Sequence, residues 1–263
     1  MLSLRPRLLV SVRNAAEARI AVQGGADIVD VKEPHNGSLG RASAEVLVSI
    51  GEALAFLPST MPREFPGSLH DNESPQLSLA LGEVTEWFDA AANLAVKYRP
   101  VIQRLRPAFL KLGLADMMTS AGSNDDWKQA WQNVRHALPG PHGWVAVAYA
   151  DHQRAKSPTV DDVLHEALAC GCQVLLIDTN VKDGSTLLDW LSIHQLQQLR
   201  QATRSAEMQL ALAGRVTEEL LPTLLALTPD IIGVRGAVCD HGQRTATVCE
   251  LRVQAFRAAL QSR

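Results

Sequence analysis

Aromatic side chains make up only 5% of the 263 residues, and cysteines number four. A core short of aromatics must be built from Ala, Val, Leu and Ile, the materials of strand–helix packing. Cys170, Cys172, Cys239 and Cys249 form no CxxC motif, which argues against a disulfide framework and for a reducing cytoplasm. No apolar run approaches the roughly 18 residues of a membrane span, and Leu8 to Val12 is too short for a signal-peptide core. The net charge of −3 provides no field for nucleic acid or an acidic membrane surface, so an anionic ligand must be held locally. No Pro/Gly/Ser-rich linker divides the chain, so one domain over residues 1–263 is the simplest expectation. Neither GxGxxG nor GxxxxGK[ST] follows a strand, which removes both common nucleotide-binding devices. The eight histidines, at positions 35, 70, 136, 142, 152, 165, 194 and 241, show neither HExxH nor paired ligand spacing. No metal and no cofactor are expected. Cys170-Gly171-Cys172 has no second cysteine pair nearby and is read as core thiols.

What is present is an alternation of short aliphatic runs with longer segments of helical period. The runs are Arg7 to Arg13, Ala26 to Pro34, Glu64 to Asp71, Ala108 to Asp116, Gly143 to Asp151, Cys172 to Asn180, Met208 to Val216 and Pro229 to Cys239. Amphipathic stretches lie near 14–24, 41–55, 76–98, 124–138, 157–170, 190–205, 217–227 and 245–260. Eight strand–helix repeats predict an α/β protein, a single (β/α)8 TIM barrel, with an open doubly wound sheet as the alternative. Gly24-Gly25 closes the first helix, and Ser157-Pro158 opens the fifth with Asp161 and Asp162 in its first turn. Pro66 and Gly67 interrupt the third run.

Residues two apart on a strand share a face. With Val29 and Val31 toward the helices, Ile28, Asp30, Lys32 and Pro34 point into the barrel. The polar pair then sits at the C-terminal end of its strand, where barrel active sites lie. The same argument sends Leu110 and Leu112 outward and leaves Phe109, Lys111 and Gly113 in the lumen. A buried ammonium costs several kcal/mol unless paired or deprotonated. Asp178 ends the apolar run Val174 to Ile177, and Lys182 follows in the loop. In a closed barrel three lysines and two aspartates therefore meet at one mouth. Crowding and desolvation lower amine pKa values, and a neutral amine can form an imine with a carbonyl, while the carboxylates orient amines and move protons. The bland alternative makes Asp30 with Lys32, and Asp178 with Lys182, mere ion pairs plugging the barrel top. Lys111, a third amine, weighs toward catalysis.

Phosphate commonly lodges after strands seven and eight of a barrel. Here those loops contain Gly214 and Arg215, and Arg235 and Gly236; a third glycine loop, Asn36 to Gly40, carries Ser38. Glycine permits close backbone approach and arginine supplies a donor fork. The alternatives are tight βα turns with a solvated Arg215, and a simple helix cap at the third loop. His70 and Asp71 at the end of the third run are candidates for bordering the site.

Five segments together resemble the (5-formylfuran-3-yl)methyl phosphate synthase family: Gly24 to Lys32 with Gly37-Ser38-Leu39-Gly40, Lys111-Leu112-Gly113-Leu114, Asp178 to Gly184, and Pro229 to Ala237. The resemblance implies a (β/α)8 barrel that condenses two glyceraldehyde 3-phosphate molecules to a phosphorylated furan aldehyde for methanofuran or methylofuran synthesis, releasing phosphate and water. It implies Lys32 as the imine-forming residue, Lys111 as the proton acceptor, and Asp30, Asp178 and Lys182 as essential neighbours. It departs at Leu69-His70-Asp71, where members carry Gly-Asp after strand three, and over Ala115 to Asp126. A simple class I aldolase and a non-catalytic sugar-phosphate-binding barrel remain as alternative readings. A homo-oligomer also stays open, because an outer face buried between subunits reads like one buried within the barrel.

Overall fold

Short strands of branched aliphatic residues cannot bury both faces alone, and here each is covered by the helix that follows it. The computed structural model describes residues 5–55, 75–118 and 126–261. Its strands are β1 (Arg7–Val12), β2 (Ile28–Val31), β3 (Gln76–Glu83), β4 (Phe109–Gly113), β5 (Gly143–Tyr149), β6 (Val174–Asp178), β7 (Gln209–Leu212) and β8 (Ile231–Val234). They pair in parallel in chain order, and β8 returns to β1, with Arg7 opposite Ile231 and Val10 opposite Val234. That last pairing makes a closed barrel and eliminates the open sheet. The helices are α1 (Ala15–Gln23), α2 (Ala44–Ala55), α3 (Ala91–Leu105), α4 (Asp126–Ala137), the short α5 (His152–Ala155), α6 (Val160–Ala169), α7 (Ile193–Ser205), α8 (Leu221–Leu225) and α9 (Glu250–Ala259).

Strand parity divides the apolar core into two layers. Val10, Val29, Val31, Leu110, Leu112 and Ile177 belong to the layer between barrel and helices. Leu9, Ile28, Phe109, Val147, Leu176 and Ala211 fill the lumen. Local signals fix the helix ends. Asn14 accepts from the Glu17 amide at the start of α1, and α1 ends at Gln23 before Gly24 and a left-handed Gly25 (φ 94°). The helix expected from Ser157 instead starts at Val160, because Thr159 and Asp162 form a reciprocal capping box. At the N-terminal end of the barrel, Arg7 donates to Gln76 and Gln209 across the lumen. Arg257 of α9 and Arg5 both bind Asp27, tying the last helix to the entrance of β2.

The third strand corrects the sequence reading. Glu64 to Asp71, including His70 and Asp71, lies outside the described residues, and β3 occupies Gln76–Glu83 at the head of the stretch assigned to a helix. The reason is that β3 turns the polar Gln76 and Ser78 toward Arg7 and Asp30, so its pattern lacks the apolar inner face of an ordinary strand. β3 itself ends in Gly82-Glu83.

Candidate active site at the C-terminal mouth of the barrel

Alternation along β2 carries Asp30 to the lumen, and the neighbouring strands supply its partners. Asp30 is completely buried. It accepts from Lys111 Nζ at 2.7 Å, from Ser78 Oγ at 2.8 Å and from Ser11 Oγ at 3.0 Å. The ion pair of Asp30 with Lys32 that the bland alternative supposed is therefore replaced by a cross-barrel pair from β2 to β4. Lys32 stands two residues further along the same face and extends past Asp30 toward the mouth, while Lys111 reaches it from β4. Ser11 and Ser78 were not singled out by the sequence, because a lone serine in a strand carries no signal until the strand opposite it is known.

Asp178 ends β6 on the same rim. Its Oδ1 accepts from Lys182 Nζ at 2.9 Å and from the Thr179 amide at 2.7 Å. Lys182 also donates to the Thr179 carbonyl. The loop bends back this way because the buried carboxylate of Asp151 accepts from the amides of Asn180 (2.6 Å) and Val181 (2.9 Å). Burial would raise the Asp178 pKa, but the charges of Lys182 and Lys32 outweigh it and hold it down at about 2. Asp178 is thus an anion throughout the physiological range.

Two carboxylates serve three amines, and the amine left over is Lys32. It is 8% exposed, and among the described residues its ammonium makes no ion pair or hydrogen bond. Burial lowers its pKa from 10.5 to about 8; Asp178 and Asp30 pull it upward, and Lys182 and Lys111 push it down again. The result is a lysine with a usable neutral fraction near neutral pH, beside two ammonium groups already neutralised by aspartates.

Lys32, Lys111 and Lys182 line one cavity of about 490 Å³, together with Asp30 and Asp178. The phosphate candidates separate into two groups. Gly214, Arg215, Arg235 and Gly236 line the same cavity, and Ser38 does not. Gly214 has φ 90°, and a Cβ there would crowd Thr179, so the β7 loop needs glycine to pass this close to β6. Arg215 lies on the rim and donates to the Gly184 carbonyl.

Arg235 and Ser38 have other work. Arg235 is buried and all five of its N–H groups are directed at protein acceptors: Glu17, and the carbonyls of Ser11, Arg244 and Ala246. It anchors the β8 loop to α1 while lining the cavity. Ser38 donates to the Thr179 carbonyl at 3.0 Å and tethers its glycine loop to β6, outside the cavity lining. Arg244, which sequence reasoning passed over, lines the cavity with one guanidinium nitrogen on the Gly37 carbonyl at 2.9 Å. Burial lowers its pKa, and the charge of Asp178 pulls the other way.

A further acid was missed. The register of β3 against β4 slips between Ala80 and Glu83, with Gly82 at φ 84°. Strict alternation would point Glu83 away from the lumen, and the bulge re-aims it. Its Oε1 accepts from the buried Tyr149 hydroxyl at 2.6 Å and its Oε2 from the Ala115 amide at 2.8 Å. Burial raises the Glu83 pKa against the pull of both hydrogen bonds, and burial with the Glu83 charge raises that of Tyr149. Gly113 makes room: a Cβ there would fall 2.0 Å from Glu83 Oε2.

Comparison with solved structures speaks to the fold. Phosphoribosyl anthranilate isomerase from Thermus thermophilus matches with a TM-score of 0.56 at 14% identity, over 97% of this chain and 98% of that one. Sequence comparison speaks to the family. A (5-formylfuran-3-yl)methyl phosphate synthase of Methanococcus maripaludis strain C5 is 34% identical over 239 residues, covering 90% of this chain and 91% of its own. The protein of the same name from Methanopyrus kandleri is 33% identical over 245 residues, 92% of each chain. The family model described as 4-HFC-P synthase matches residues 8–257, a span that holds all eight strands except the first residue of β1 and every lysine and aspartate of the cavity, and it is to this family of enzymes that the chain belongs.

Proposed function

We propose that the enzyme condenses two molecules of glyceraldehyde 3-phosphate to (5-formylfuran-3-yl)methyl phosphate, releasing phosphate and water, as a lyase working through an imine at Lys32. The product name is that of the relatives, and in this reading it serves methanofuran or methylofuran synthesis in the cytoplasm. The single observation that carries the reading is the charge arrangement: Asp30 neutralises Lys111, Asp178 neutralises Lys182, and Lys32 is left without a partner with its pKa at about 8.

The chemistry assigns each group a task. One triose phosphate isomerises to dihydroxyacetone phosphate by proton abstraction beside its carbonyl, with Lys111 as proton acceptor once it has passed its own ammonium proton to Asp30, 2.7 Å away. The neutral amine of Lys32 attacks the carbonyl of the remaining aldehyde, water leaves, and the protonated imine withdraws electrons so that the adjacent carbon-bound proton is lost to give an enamine, which expels the phosphate. The terminal enol carbon so formed attacks the ketone carbon of dihydroxyacetone phosphate. Ring closure, dehydration and hydrolysis of the imine, which frees Lys32, complete the furan. Asp178 and Lys182, locked together on the cavity lining, hold a charge pair beside the reacting carbons, with the Lys182 ammonium as proton donor. Gly214, Arg215, Gly236 and Arg244 suit the substrate phosphates, since glycine admits the backbone and arginine contributes a fixed cationic fork.

Incubation of the purified protein with glyceraldehyde 3-phosphate tests this directly. A furan aldehyde absorbance rising in step with inorganic phosphate is expected, and both should vanish in Lys32→Met. An aldol adduct formed without phosphate release would replace the furan reading by that of a simple class I aldolase.

A further inference from the structure

At the opposite end of β6 from the lysine cavity, the chain turns from helix to strand through Cys170-Gly171-Cys172. Cys170 caps the C-terminus of α6 and is half-buried, Gly171 is exposed at φ 68°, and Cys172 is buried just before the strand. The left-handed glycine folds the turn so that the two sulfurs lie 3.8 Å apart, with either able to donate to the other. Closing a disulfide needs these sulfurs to approach by less than 2 Å, from 3.8 Å to a bond of about 2.0 Å.

The surroundings favour a thiolate at the outer sulfur. Arg135 of α4 reaches this corner and donates to the Cys170 carbonyl at 3.0 Å. Its guanidinium stacks on Trp131 (5.0 Å) and Trp144 (5.7 Å), and its buried Nε has no hydrogen-bond partner. Among the described residues no carboxylate forms an ion pair with Arg135, and the one nearby acid, Glu166, is engaged by Gln132 at 2.6 Å. An uncompensated cation thus stands beside a reachable thiol, which offsets the unfavourable helix C-terminus. The hydrogen bond from Cys172 and the Arg135 charge lower the Cys170 pKa, while the same hydrogen bond raises that of Cys172.

We propose that Cys170 and Cys172 form a redox site in which Cys170 is oxidised by a hydroperoxide and Cys172 resolves it to a reversible intramolecular disulfide. The Cys170 thiolate attacks one peroxide oxygen, the O–O bond breaks, and the departing oxygen takes a proton from solvent and leaves as water from hydrogen peroxide, or as the alcohol from an organic hydroperoxide. The Cys172 sulfur then attacks the resulting sulfenic acid, the S–O bond breaks, and water leaves with the Cys172 proton. Two thiols are oxidised by two electrons and one peroxide is reduced. Neither sulfur touches the lysine cavity, so this site is independent of the furan chemistry.

The test is mass spectrometry of the native protein after brief exposure to equimolar hydrogen peroxide. The tryptic peptide spanning 157–182 should lose two hydrogens, resist alkylation and recover with dithiothreitol. Without peroxide, Cys170 should alkylate roughly three- to tenfold faster than Cys249 at pH 7, and Arg135→Gln should abolish that preference. Cys172→Ser should leave a dimedone-reactive sulfenic acid at Cys170. Direct passage of Cys170 to sulfinic acid, a crosslink between chains, faster oxidation at Cys249, or no reaction would each overturn the proposal.

Discussion

The pKa of Lys32 governs how much neutral amine the cavity holds, and Lys182→Met perturbs it without replacing Lys32. With a pKa of about 8, about one Lys32 in ten is neutral at pH 7, against about one in 3,000 for a lysine at its ordinary value, a gain of about 300-fold. Removing Lys182 acts twice in the same direction. It deletes a like charge that lowers the Lys32 pKa, and it frees Asp178, the largest upward influence on Lys32, from its 2.9 Å partner. Lys32 then becomes the natural counterion of Asp178, and its neutral fraction at pH 7 should fall by at least about tenfold, since a carboxylate at ion-pair distance shifts an amine by about one pKa unit or more. Carbamoylation by cyanate, which consumes only neutral amines, reads this site by site: the rate at Lys32, followed by peptide mass spectrometry from pH 6 to 11, should have its midpoint near 8 in the wild type and clearly higher in Lys182→Met. A wild-type midpoint near 10.5, or one that the substitution leaves in place, would refute the reasoning.

Three further outcomes follow from the packing. Asp30→Asn leaves the Lys111 ammonium buried without its 2.7 Å partner and should cost about 3–5 kcal/mol in denaturant unfolding, whereas Asp30→Asn with Lys111→Met should recover most of that loss. Arg257→Met strips Asp27 of its main partner and should cost a similar amount at pH 7. Burial alone would raise the Asp27 pKa, but Arg257 lowers it below 3.8 in the fold, so this stabilisation is present above the unfolded pKa and is lost as pH falls through the folded one; the gap between wild type and variant should narrow in acid unfolding titrations. Tyr149→Phe leaves the half-buried Glu83 with one donor fewer and should lower stability by about 1–2 kcal/mol, measured by the same unfolding curves.

Strand parity made the centre of the site legible. Asp30, Lys32 and Lys111 interrupt apolar runs at positions of one face, and their convergence required only that the barrel close. Closure itself was legible as eight alternating repeats. The third strand was not, because its lumen face carries Gln76, Ser78 and Glu83, whose partners Arg7, Asp30 and Tyr149 lie far away in sequence. Partner choice was equally hidden. Asp30 takes Lys111 across the barrel in place of Lys32 two residues away, a preference decided by reach and by the serines of β1 and β3. Arg235 between glycines reads as an anion loop, yet its fork closes on Glu17, 218 positions distant. Arg244, outside any strand or motif, gained its place only through the fold of the β8 loop.

Borohydride reduction in the presence of glyceraldehyde 3-phosphate puts the imine itself to the test. The account predicts a stable adduct on the peptide that carries Lys32, absent from Lys32→Met and present, at reduced rate at pH 7, in Lys182→Met. Turnover of the triose phosphate with no adduct at Lys32, or with the label on Lys111 or Lys182 instead, would contradict it.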